Sequence, residues 1–69
     1  SLPKLTDRAM SGTKEFRVIK GDDCLGSWTT YEPALSRFNQ LKAGLSKGER
    51  LEVEAVKEGY LETVVSAVG

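Results

Sequence analysis

Two stretches of alternating hydrophobicity on either side of one helical repeat predict a small α+β domain of β-β-α-β-β order. The expected architecture is a four-stranded antiparallel sheet with one helix packed on one face. Residues 15–20 alternate, residues 31–45 carry apolar side chains at helical spacing, and residues 51–68 alternate again around a Lys57-Glu58-Gly59 turn.

Residues 1–14 have no sustained period and contain Pro3 and Gly12, so they read as a flexible N-terminal tail, with residues 15–69 as the single domain. Met10-Ser11-Gly12 has the look of a translation start, which would make residues 1–9 an upstream stretch. The first strand is expected at Glu15–Lys20, with Phe16 and Val18 on one side and Glu15 and Arg17 on the other. Gly21-Asp22-Asp23 is turn chemistry, because glycine permits positive φ and aspartate bonds its own turn backbone. The second strand is expected at residues 24–29. A three-residue loop would set Lys20 opposite Cys24 and Phe16 opposite Trp28, burying the largest side chain. Phe16, Val18, Cys24 and Trp28 then share the core face.

Thr30 suits a helix N-cap, Glu32 the positive end of the helix dipole, and Pro33 the first turn. Tyr31, Ala34, Leu35, Phe38, Leu41 and Leu45 form the apolar stripe. Gly44 is the expected left-handed residue at the helix end. In the last hairpin, a three-residue loop pairs Leu51 with Val65, Val53 with Thr63 and Ala55 with Leu61, making one face nearly all apolar. Gly59 is then the left-handed residue of the turn.

That register leaves Val56, Tyr60, Val64 and Val68 on the back of the sheet beside Glu52, Glu54 and Glu62. An apolar strip edged with carboxylates exceeds what solubility needs, and it points to a binding surface. Val56, Tyr60, Glu62 and Val64 are the candidate partner contacts, with Tyr60 as the anchor. Cross-strand pairing of β-branched and aromatic residues would account for the same pattern without any partner.

Ten basic and ten acidic residues cancel, which argues against a general nucleic-acid or membrane-surface binder. Residues 1–48 hold eight Lys/Arg against five Asp/Glu, and residues 49–69 hold two against five. A sheet with exposed aromatics and a basic side made by Arg17, Lys20, Arg37 and Lys42 supports an alternative, a weak single-stranded nucleic-acid binder.

Catalysis finds little to work with. The chain has one cysteine and no histidine, so no thiol–imidazole pair and no internal disulfide can form. Cys24 reads as a small core residue. Asp22 and Asp23 fall short of a calcium loop, and the glycines around Lys47 follow a helix rather than opening one. No catalytic residue, cofactor or metal is expected. No apolar run reaches the ~20 residues of a membrane span. An unpaired cysteine suits a reducing compartment, so a cytoplasmic location is expected.

A 69-residue chain without staples gains little from its core, which favours self-association or a tight partner. In size and layout the chain resembles many small phage-encoded inhibitors of host machinery. That resemblance implies a protein that occludes a partner, and it transfers no residue roles. The sequence thus predicts a non-enzymatic protein-interaction module, an inhibitor or adaptor, whose partner is another protein or a second copy in a homodimer.

Overall fold

A computed structural model describes residues 12–69. Most of the expected tail lies outside the described residues. The elements run β1 (Glu15–Lys20), β2 (Asp23–Trp28), α1 (Tyr31–Lys42), β3 (Arg50–Lys57) and β4 (Tyr60–Val68). They form one four-stranded sheet in the order β2-β1-β3-β4, with every neighbouring pair antiparallel. The predicted α+β class and element order therefore hold.

β2 and β3 both run antiparallel to β1, so they run parallel to each other on its two sides. The β2–α1–β3 connection must cross β1, and this lays the helix over the middle of the sheet. The helix packs mainly on β3, β1 and β2, with β4 at the far edge of the sheet. The core between helix and sheet is Phe16, Val18, Tyr31, Ala34, Leu35, Phe38, Leu51, Val53 and Ala55. Trp28, Leu41, Leu45, Val64, Val65 and Ala67 pack around it. The Phe16 and Tyr31 rings lie 5.5 Å apart at a tilt of 54°, a favoured aromatic geometry.

Thr30 is the N-cap with extended backbone angles, yet its side chain makes no capping bond. The reason is local. An N-cap oxygen accepts from the second or third helical N–H, and the third position is Pro33, which has none. Gly44 does not take the left-handed role. The helix ends instead through Ala43 in right-handed geometry, with Gly44 N–H donating to the Leu41 carbonyl at 3.1 Å.

Both hairpins depart from the expected loops in the same way. Each closes over two residues, Gly21-Asp22 and Glu58-Gly59, with Gly21 at φ 60° and Gly59 at φ 81°. Each strand pair then shifts register once. In the first, Lys20 pairs with Asp23 and Ile19 with Cys24, but Val18 pairs with Gly26 and Phe16 with Trp28. Leu25 is the extra residue of this bulge. In the second, Ala55 pairs with Glu62 and Glu54 with Thr63, but Val53 pairs with Val65 and Leu51 with Ala67. Val64 is the extra residue there.

The bulges resolve a conflict between turn and core. A tight turn sets one register and the buried face needs another, and a bulge lets one strand satisfy both. They also overturn three expectations. Cys24 pairs with Ile19 rather than Lys20, leaves the core face, and is exposed. Leu61 pairs with Val56 on the back of the sheet and is half exposed. Thr63 pairs with Glu54 rather than with Val53.

Candidate functional site

Four large apolar side chains are exposed among the described residues, and three of them, Tyr60, Leu61 and Val68, lie on β4. They are there because β4 is a sheet edge: Leu61 and Val68 stand on the face opposite the helix, and Tyr60 stands on the helix side at the outer strand. Nothing among the described residues pairs with the outer edge of β4.

The expected contact set is divided by the observed register. Tyr60 pairs with Lys57 and Glu62 with Ala55, so both belong to the helix side of the sheet, on the flank the helix leaves uncovered. Val64, as the bulge residue, packs against the core. Val56 faces the opposite side, paired with Leu61. Tyr60 is 60% exposed and remains the largest accessible side chain of the strand. Val68 was expected in the back strip though not among the contacts, and Leu61 was expected on the core face. A sequence signal for Leu61 existed, since a two-residue Glu58-Gly59 turn places it outward, but it conflicts with the apolar pairing of the distal half.

The back of the sheet is polar at its centre. Arg17 Nε donates to Glu15 Oε2 at 2.8 Å, which raises the guanidinium pKa further above its ordinary value. Arg50 Nε pairs with Glu52 Oε1 at 2.5 Å. Glu54 is buried beside Glu52, and the Thr63 hydroxyl donates to its Oε1 at 2.9 Å. Burial, and then the neighbouring Glu52, push the Glu54 carboxyl above the ordinary glutamate range, with Thr63 and Arg50 opposing. On the helix side, buried Lys57 donates from Nζ to Thr13 Oγ1 at 2.6 Å, and Lys14 N–H donates to the Val56 carbonyl at 2.8 Å. These two bonds tie residues 13 and 14 to the sheet.

The four candidate cations do not form one track. Arg17 stands on the back of the sheet with Glu15. Lys20 pairs with Glu49 at 3.2 Å. Glu49 also accepts from Ser46 N–H, and the two contacts, the backbone bond first, hold its carboxyl below the ordinary range. Arg37 and Lys42 stand exposed on the helix, where Arg37 donates to Gln40. The aromatics and the cations therefore do not share a face. Tyr60 and Trp28 lie on the helix side, whereas the sheet back, where bases would stack, presents Glu52 and Glu54.

A hollow of about 220 Å³ runs along the outer flank of α1, bordered by Glu32, Leu35, Ser36 and Asn39. Among the described residues, no three His, Cys, Asp or Glu side chains gather as metal ligands, and no helix is long and apolar enough to cross a membrane. No known protein family, curated protein or solved structure matches the chain.

Proposed function

We propose that this protein is a non-enzymatic interaction module that occludes or bridges a partner protein through the uncovered β4 side of its sheet. The observation that carries the reading is the concentration of exposed Tyr60, Leu61 and Val68 on one edge strand. Exposed apolar side chains along an unpaired edge strand are a usual mark of a surface meant for contact. Tyrosine supplies large contact area at low entropic cost and is favoured as an anchor. Glu58 and Glu62 make no ion pair among the described residues, so they add negative charge near Tyr60. That charge would select the orientation of a partner more than the strength of binding.

The test is capture of a stoichiometric partner from native lysate by the tagged chain, compared with Tyr60→Glu and Leu61→Glu. Loss of a hot-spot contact should weaken capture by roughly 30-fold, about 2 kcal/mol. Unchanged capture by both variants would remove Tyr60 and Leu61 as contacts.

A further inference from the structure

We propose that the partner of the β4 edge is a second copy of this chain, joined antiparallel about a two-fold axis at Ser66 into one eight-stranded sheet. The inference rests on the reading of β4 as a contact surface and names the occupant of its Ser66 half; Tyr60 and Leu61 lie beyond the paired residues.

The backbone bonds settle which groups of β4 are free. Gly69 N–H donates to the Glu49 carbonyl at 2.8 Å, and the Gly69 carbonyl accepts Gly48 N–H at 3.1 Å. Gly69 therefore points its backbone toward β3. Ladder groups alternate along an antiparallel strand, so Ala67 and Val65 also point toward β3, and Ser66 and Val68 point outward. Near the turn, Val56 accepts from Lys14, so Val56 faces β1 while Ala55 and Lys57 face β4. Their partners Glu62 and Tyr60 point inward, which turns Leu61 and Thr63 outward. The change of phase falls at the Val64 bulge.

Residues 64–68 are Val64, Val65, Ser66, Ala67 and Val68, an uncharged run without proline. Edge strands usually carry lysine, proline or inward charge to prevent pairing. This half of β4 carries none of these. Pairing about Ser66 sets Ser66 opposite its symmetry mate and Val65 opposite Ala67, using outward-facing groups on both chains. The bulge ends the pairing before Glu62 is reached. The two Glu62 carboxylates are then eight residues apart along the sheet, on the order of 26 Å, well beyond the screening length. With ten charges of each sign, two copies do not repel as wholes.

The other edge is a poorer mate. β2 is six residues long, begins at Asp23, and is broken by the Leu25 bulge. A β4-to-β2 contact would also be head-to-tail and would extend without closing, whereas the β4 two-fold closes on itself. A stable interface takes ~800 Å² from each partner, about a sixth of the 4674 Å² surface of this chain. One strand edge gives less, so the dimer is weak, with a Kd of roughly 1–100 µM.

The test is sedimentation of the full chain from ~1 µM to ~500 µM, with Ser66→Lys and Ser66→Glu alone and mixed. Ser66 is exposed and lies opposite Glu52, so Ser66→Lys adds a favourable cross-strand pair within one chain. Across the two-fold it sets like charges together. The expected result is a mass rising from 7.5 kDa toward twice that value. Each variant alone stays monomeric where the parent is dimeric, and a one-to-one mixture dimerises again. A parent that stays monomeric throughout overturns the proposal, as does a Ser66→Lys variant that dimerises as the parent does. Lysate capture by a chain that never dimerises would overturn self-pairing and leave the interaction reading standing. Failure of both would remove both.

Discussion

Glycine at position 26 is a packing decision. A Cβ there would lie 2.6 Å from Trp28 Cη2 and 3.1 Å from Cζ3, so the indole lies across the place where a side chain would stand. An aromatic that covers a strand glycine replaces the missing contacts of that position. We predict that Gly26→Val displaces Trp28 from the core edge and costs about 1–3 kcal/mol, the range of overpacking. Because Trp28 is the single tryptophan, a red shift of its emission reports the displacement directly. Glu54 gives a second prediction at this scale. Its raised pKa means that the folded chain holds that proton more tightly than the unfolded chain does. The sign follows: as pH rises from the ordinary glutamate value through the raised one, this group subtracts stability. Glu54→Gln should therefore be more stable than the parent at pH 7, by about 0.5 kcal/mol, the worth of one like-charge contact. The advantage should vanish at pH 4 in urea titrations. An equal gain at both pH values would assign the effect to packing.

The strand scale shows what the pattern of residues could and could not reveal. Phe16 opposite Trp28, the helix stripe of Tyr31, Leu35, Phe38 and Leu41, and the membership of Val65 in the core face were all legible, because burial imposes a period. The bulges at Leu25 and Val64 were not. Alternation implies a single register for each hairpin, and no single register satisfies both a two-residue turn and the distal core. The misplacement of Cys24, Leu61 and Tyr60 follows from that one assumption. The order in which the hairpins join was also illegible, since alternation says which face a residue takes and not which strand lies beside it. The bulge makes an unusual prediction. Deleting Val64 leaves Glu54 opposite Thr63 and Val53 opposite Val65, with regular alternation restored. The deletion should cost under ~1.5 kcal/mol, no more than the burial of one valine. Deleting Arg17 from β1, which is laddered on both sides, would turn half that strand inside out and should abolish folding. Circular dichroism melts of the two deletions check the contrast. The Val64 deletion should also straighten the β4 edge and increase association.

For the molecule as a whole, the core among the described residues comprises nine side chains, and with one cysteine in sixty-nine residues no internal disulfide supports it. Domains of this size hold only ~3–5 kcal/mol from such a core. Phe38 is 2% exposed, and truncating a buried phenylalanine costs about 3–5 kcal/mol. Phe38→Ala should therefore leave the chain largely unfolded at 25 °C by far-UV circular dichroism. Leu61→Ala, at a half-exposed position, should shift stability by no more than ~0.5 kcal/mol. A folded Phe38→Ala variant would mean that the helix contributes less than its burial implies. Tyr31, about two helical turns before Phe38 on the same helix, shows the cost of so small an interior. The Tyr31 hydroxyl is buried with no hydrogen-bond partner among the described residues, and burial raises its pKa above the ordinary value.

The strand order has a kinetic meaning. Each hairpin closes over two residues, whereas β1 meets β3 at pairs such as Val18 and Val53, thirty-five positions apart. Loop closure over that distance costs roughly 1.7 kcal/mol more than closure over five residues. The hairpins are local and quick to form, and the central seam between them is the late event. A nick in the connection between α1 and β3 would leave two fragments, each holding one hairpin and one side of the seam. Folding would then become an encounter between two molecules, with a rate set by their concentration.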